Sequence, residues 1–410
     1  MTEHARDSAV ERLLRLLAAS TFIIFFQAYM VAPLIPRLAR EFSASPERVG
    51  LAVPAYLIPY GIATLVYGVL SDRVGRRRIM LASLSAFIAL TALTATARTA
   101  DELTAWRLAT GVGASAVVPL ALALIGRLFP YEQRGRALGW LFGAMAGGMA
   151  FGSTFGAVLE PVLGWRGLFL AVSAIALVLF FLLFRQREML GDPDLSIHVH
   201  LAAVLAGYAA LLDSPRARRT YGYVLINAIF HSGVFTWLGL YLAEHYGLGE
   251  TGIGLALLGY GIPGFLFGPL IGRAADRWGR RWLIPFGLVL AALSAGALAL
   301  RPPLSLVNVA VIVLSLGYDM TQPLLAGIVT RLGGKRAGQA MGLNVFTLFV
   351  GFGLGSLIFS VALRRSLEFG YLSFSALLLV AAALAFASFR EERPSGVGGP
   401  APIPSARGVP

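Results

Sequence analysis

Residues 68–78 read Gly68-Val-Leu-Ser-Asp72-Arg73-Val-Gly75-Arg76-Arg77-Arg78, and residues 272–281 read Gly272-Arg-Ala-Ala-Asp276-Arg277-Trp-Gly279-Arg280-Arg281. The shared pattern, G-x-x-x-D-R-x-G-R-R, recurs after 204 residues in a chain of 410. Such a spacing means two halves built alike. Each copy follows one long apolar run and precedes another. An apolar run of about 20 residues crosses a bilayer as a helix. The motif therefore marks the same membrane-surface turn in each half.

Outward from these turns the chain contains twelve apolar runs. They are Leu13–Ile35, Val49–Leu70, Ile79–Thr96, Leu103–Leu124, Leu138–Leu159 and Leu168–Leu183, then Tyr223–Leu242, Ile253–Ile271, Leu283–Leu300, Leu304–Ile328, Ala340–Leu363 and Gly370–Phe389. The runs are continuous, not alternating, which excludes barrel strands. Composition agrees: 57% of residues are hydrophobic and 13% charged, against about a quarter charged in a soluble domain. The 47 glycines suit helices that pack closely in lipid.

The basic residues orient the chain. Of 34, 25 fall on the side of the chain ends, 8 on the opposite side, and Arg107 lies inside a helix. Positive charge accumulates on the cytoplasmic side, so both termini are expected in the cytoplasm of a multi-pass cell (inner) membrane protein. The formal charge of +13 is explained by this bias, and no nucleic-acid partner is expected. No cleavable signal peptide is expected ahead of the first run. There is no cysteine, hence no disulfide or thiolate metal site.

The expected division is a cytoplasmic segment over residues 1–12, a six-helix bundle over 13–184, a cytoplasmic linker over 185–221, a second bundle over 222–390 and a disordered tail over 391–410. Within the linker, Leu201–Leu212 is apolar but too short to span and is expected to lie along the interface. The fold class is an all-α membrane protein with two pseudo-symmetric six-helix bundles related by an axis along the membrane normal. The cleft between them is the natural place for a small-molecule substrate.

Chemistry at the repeated turn follows from its residues. Gly68 ends a helix without a side chain, and Gly75 permits a tight turn that other residues resist. Asp72 can accept charge-assisted bonds from Arg76, Arg134 or Arg136 and so latch one conformation. Topology asks only for positive charge there, yet the acid recurs as Asp276. Arg77, Arg78 and Arg281 are accounted for by the charge bias alone.

These paired loops resemble motif A of the major facilitator superfamily, and the resemblance runs from Leu13 to Phe389. It implies latch roles for Gly68, Asp72, Arg73, Gly75 and Arg76, and for Gly272, Asp276, Arg277 and Gly279. Arg107 and Gly111, with Gly113, resemble motif B, which implies a proton-relay role for Arg107; its alternative is snorkelling to the interface. Gly139, Gly148, Gly152 and Gly156 resemble motif C, with Ser153 standing where that motif has proline. Motif C is associated with exporters, notably drug:proton antiporters and sugar or metabolite efflux permeases. Many of those antiporters carry a carboxylate in helix 1, where this chain has Gln27 and Tyr29 but no acid.

Ionisable groups in hydrocarbon are costly, so each is a candidate. Asp319 alone among 21 acids lies well inside a helix, flanked by Gly317, Gln322 and Pro323. It is the first candidate for a proton or substrate site, with local pairing as the alternative. His231 could titrate near neutrality or simply pack. Glu160, at a helix end beside Pro161, could be functional or an interfacial residue exposed to water. Gln27, Tyr29, Gln322 and Asn344 are further candidates, and Phe230, Phe235, Trp237, Phe346 and Phe349 could help line an amphipathic cavity.

The expected function is secondary transport by alternating access, with proton-coupled efflux of small amphipathic compounds first and an uptake symporter or anion exchanger second. A sensor that signals without turnover would favour a long soluble domain, which the tail does not offer. No nucleotide-binding loop is present, no metal or cofactor is expected, and the chain is not read as an enzyme. Protons are the expected coupling ion, the bilayer the surrounding partner, and the monomer the expected state.

Overall fold

The computed structural model describes residues 3–129, 134–191, 201–260 and 262–392. Helix 1 comprises Glu3–Tyr29, a tight turn at Ala32–Leu34 and an outer piece, Ile35–Phe42. Helix 2 is Pro46–Gly50 continued by Ala52–Val74, and helix 3 is Arg76–Thr94. Helix 4 has two pieces, Ala100–Ala114 and Val117–Leu128. Arg134–Arg185 holds helices 5 and 6, divided at Gly164, whose φ of 66° and ψ of 157° suit glycine alone. Helix 7 is Pro215–Thr236 and Leu238–Tyr246, helix 8 is Glu250–Leu257 and Ile262–Trp278, and helix 9 is Arg280–Leu298. Helix 10 is Leu304–Asp319 and Gln322–Gly333, helix 11 is Ala337–Leu363, and helix 12 is Leu367–Ser388. Twelve spanning segments result, and no strand occurs among the described residues. Large apolar residues such as Val162, 81% exposed, and Phe181, 58% exposed, make sense only against lipid.

The helices outrun the apolar stretches at their ends. Helix 1 begins at Glu3, inside the stretch expected to be a separate segment. Glu392, expected in the tail, is 3% exposed. Its two oxygens each accept from Arg216 at 2.8 Å, and Arg219 adds a bond of 3.1 Å, so the end of helix 12 is tied to the start of helix 7. The rest of the tail, residues 393–410, lies outside the described residues. The short helix expected in the linker is present as Leu201–Leu211. Its Tyr208 packs with Tyr221, Ala340 and Leu343 at the base of helices 7 and 11.

The repeat extends beyond the opening motif. Gly75 and Gly279 both turn the chain at positive φ, 104° and 84°, as expected of Gly75. Helices 4 and 10 break at matched places, just before Val117 and Gln322. Each break lies about one turn ahead of a proline, Pro119 and Pro323, themselves 204 residues apart. A proline ring cannot donate to the carbonyl four residues back. Helices 1 and 7 are also interrupted, at Met30–Val31 and at Trp237.

Within each half, small residues let helices touch backbone to backbone. A Cβ on Gly152 would press on the Phe26 carbonyl, and one on Gly148 or Gly156 on Phe22–Phe25 or Met30. The second half repeats this: Gly355 meets the Ile229 carbonyl and Gly351 meets Ala228. Helix 5 thus rides on helix 1, and helix 11 on helix 7.

The halves meet along helices 2 and 11 and along helix 5 and the first piece of helix 8. We call the face holding the start of helix 1 and the end of helix 12 the terminal face, and the other the far face. Contacts between halves gather toward the far face. There Gly239 abuts Pro33, Gly50 lies under Trp237, and Gly254 sits on the Thr154 carbonyl. Arg40 and Glu250 form an ion pair across the seam. Toward the terminal face, Gly139 and Gly143 of helix 5 look onto open space.

Candidate functional site

Arg107 is the only arginine buried among the described residues, at 0% exposure. It does not snorkel. Its Nε donates to the Ala52 carbonyl at 3.2 Å, and Nη1 donates to the Gln27 carbonyl at 3.2 Å and to Gln27 Oε1 at 2.8 Å. Nη2 donates to the Ala28 carbonyl at 2.9 Å. The guanidinium lies 4.2 Å from the centre of the Tyr56 ring, a cation–π arrangement. Gly111, one turn on, faces the Tyr56 backbone so closely that no Cβ fits. Motif B thus seats helix 4 on helices 1 and 2.

Helix geometry explains the acceptors. The last four carbonyls of a helix lack backbone partners, and Glu3–Tyr29 ends at Tyr29. Gln27 and Ala28 lie in that final turn, where a cation also meets the negative end of the helix dipole. The Tyr29 carbonyl lies 3.4 Å from Ser153 Oγ, which is also 3.1 Å from the Met149 carbonyl.

Opposite, the second half presents a ring of aromatics. His231 is 2% exposed. The Tyr260 hydroxyl is hydrogen-bonded to the edge of its imidazole, 3.1 Å from Nδ1 and closer to Nε2. The Tyr318 ring is centred 3.9 Å from His231, Phe352 5.6 Å, and Phe235 stacks on it at 6.1 Å. From the first half, Tyr29 meets Phe352 edge-on at 6.3 Å. Tyr60 stacks on Phe349 at 4.4 Å, and Phe25 meets Phe349 at 5.7 Å. Helices 1, 2, 7, 8, 10 and 11 therefore share one aromatic cage across the seam.

Several polar tips in or beside this cage lack a hydrogen-bond partner among the described residues: Tyr29, Tyr56 and Tyr60 hydroxyls, Gln27 Nε2 and Asn344 Oδ1. Buried polar groups are nearly always bonded, so these groups keep the capacity for a further hydrogen bond. Such atoms on apolar aromatic walls suit an amphipathic guest.

Asp319 ends the first piece of helix 10 and is partly buried, with Ser315 Oγ donating at 3.2 Å. Tyr318 beside it faces the cage. Gln322, at the start of the second piece, and Thr321 are reached by Asn227 Nδ2 at 3.4 and 2.9 Å. Glu160 is elsewhere: it lies at the far face, 4% exposed, 3.3 Å from Arg37 Nε. Glu41 beside it holds Arg37 and Arg166, each at 2.8 Å. Phe235 and Phe349 join the cage as expected, whereas Trp237 closes the far face against Gly50.

Of the motif C glycines, Gly148, Gly152 and Gly156 form the helix 1 contact, but a Cβ on Gly139 would meet no other element within 4 Å. The side chains of Asp72, Arg73 and Asp276, with Gly68 and Gly272, lie outside the described residues. Arg136 bonds to Glu11. Tyr60, Tyr260, Tyr318 and Phe352 were not singled out from the sequence. Their period along single helices is ordinary, and only the crossing of six helices assembles them.

Comparison with known proteins agrees with this architecture. The family model described as Major Facilitator Superfamily matches residues 17–249 and 220–405. The chain is 26% identical over 370 residues to the uncharacterized MFS-type transporter YceJ of Bacillus subtilis, covering 88% of this chain and 91% of that one. It is 24% identical over 389 residues to a chloramphenicol resistance protein of Streptomyces lividans, covering 92% and 96%. The solved structure of a D-xylose–proton symporter superposes with a TM-score of 0.75 at 15% identity, covering 93% of this chain and 98% of that one. A fold of two six-helix halves, the repeated turn and a match along nearly the whole chain lead to one conclusion: this protein belongs to the major facilitator superfamily.

Proposed function

We propose that the protein is a proton-coupled exporter of small amphipathic compounds, working by alternating access around the aromatic cage, and not an enzyme. The observation that carries the reading is the cage itself, shared by both halves and holding buried polar tips without partners. The seam is closed toward the far face and looser toward the terminal face. With both termini in the cytoplasm, as the basic residues suggest, this is the state that loads from inside. Asp319 is the proposed proton carrier, because it sits at the helix 10 break beside Tyr318 of the cage. The resistance protein among the relatives favours efflux of drug-like compounds.

The proposal is tested in two steps. Purified protein is screened by thermal shift against amphipathic compounds at several pH values. Hits are then followed in inverted vesicles, where an exporter accumulates substrate when the interior is acidified. Accumulation with the opposite gradient would identify an uptake symporter, and exchange indifferent to pH an exchanger.

A further inference from the structure

We propose that Arg107 is a fixed clamp on the hinge of helix 1, and thus a positioning residue for closure of the far face, not a proton relay or an anion ligand. The guanidinium makes four bonds, three to backbone carbonyls and one to a neutral amide, and one face is covered by Tyr56. Among the described residues no carboxylate bonds to it. Acids on the far face, Glu41, Glu160 and Glu250 among them, pair with Arg37, Arg40 and Arg166. A buried charge without a counter-ion is costly, and here carbonyl dipoles at a helix end replace the counter-ion. An anionic substrate would have to strip the guanidinium from the carbonyls of Gln27 and Ala28, which lie in the last turn of their helix where backbone donors are lacking. A relay would have to deprotonate a group that stays charged in proteins.

What the clamp holds is a mechanical element. The inner piece of helix 1 ends at Tyr29, and its terminal carbonyls are fastened by Arg107 and approached by Ser153. Pro33 supplies no N–H to the Tyr29 carbonyl, so the backbone itself cannot bridge the break. Immediately beyond lie Pro33, packed on Gly239, and Arg40, paired with Glu250. Both contacts belong to the seam between halves. Fixing the break therefore fixes the outer piece, Ile35–Phe42, against the second half. The matched corner of the second half has Val311 at the position 204 residues on, so the clamp is particular to the first half.

This inference rests on alternating access but not on the identity of the substrate or coupling ion. The chain lacks cysteine, so spin labels at Ser43→Cys and Glu244→Cys, both exposed on the far face in opposite halves, report the seam directly by pulsed electron resonance. The parent should give one short distance population. Arg107→Gln should add a population longer by about 5 Å or more, the scale of a helix shifting by one turn. Arg107→Lys should show a smaller share of it, since an ammonium cannot span carbonyls as the planar fork does. Gln27→Leu, which leaves the three carbonyl bonds, should stay close to the parent. Should Arg107→Gln fail to fold, the lysine variant carries the test. Gradient-driven transport and substrate exchange should fall by the same factor. Parent-like distances in both Arg107 variants, or a loss confined to gradient-driven transport, would overturn the clamp.

Discussion

Helices 1 and 7 occupy equivalent places in the two halves, and the corners they form, beside the helix 1 break and beside the helix 10 break, are filled with different chemistry. In the first half a fully buried arginine is saturated by helix-end carbonyls and Gln27. In the second, Asn227 bridges to Thr321 and Gln322, and His231 bonds to Tyr260 and lies against Tyr318. A permanent cation locked by dipoles has one stable state. Neutral and titratable groups beside a broken helix have several. The comparison assigns stiffness to the first corner and, on the proposed function, coupling to the second.

Substitutions sharpen this contrast. The largest effects should come where helices touch by backbone. Gly152→Val and its counterpart Gly355→Val each drive a branched side chain into a facing carbonyl. Each should cost about 3 kcal/mol, read as a strong fall in melting temperature of the purified protein. Similar losses in both are expected because this packing is common to the halves. A neutral outcome in either would mean the helix pair is held otherwise.

Next come the repeated acids. Asp72→Asn should reduce transport about five- to a hundredfold with the protein still folded, the range of a coupling of 1–3 kcal/mol. Asp276→Asn should be milder, since Arg273 lies within its own turn. Equal, full activity in both would remove the latch. Smaller still is Arg40→Ala at the far seam. The pair with Glu250 is partly exposed, so its loss should amount to about 1 kcal/mol or less, seen as modestly faster labelling of far-face cysteines. The smallest effect belongs to Gly139→Ala. Its Cβ meets open space, so melting temperature should be unchanged or slightly raised, as helix propensity favours alanine.

Much of this was legible in sequence because membrane physics writes it there. Length and continuity of apolar runs specify twelve helices, and the repeat at Gly68 and Gly272 specifies two halves. The helix 10 break is also readable, since Pro323 frees the carbonyl of Asp319. Arg107 was visible as a costly charge, but its partners were not. Three of them are backbone carbonyls of Gln27, Ala28 and Ala52, and a carbonyl has no side-chain signature. The cage was hidden for a related reason. Tyr60, Tyr260, Tyr318 and Phe352 sit on four helices, and aromatic residues on membrane helices more often face lipid or pack. The buried end of helix 12 escaped because Glu392 stands among charges that usually mark a solvated tail.

The proposed division of labour between the halves is tested most directly by transport driven by a pH gradient in Asp319→Asn, measured in vesicles against exchange of the same substrate without a gradient. The asparagine keeps the shape of the side chain and removes its proton chemistry. Gradient-driven transport should fall at least about tenfold, the scale of 1.4 kcal/mol, while exchange continues, and substrate binding should lose its dependence on pH between about 5 and 8. Gradient-driven transport at the parent rate would contradict the account and move the coupling site away from helix 10.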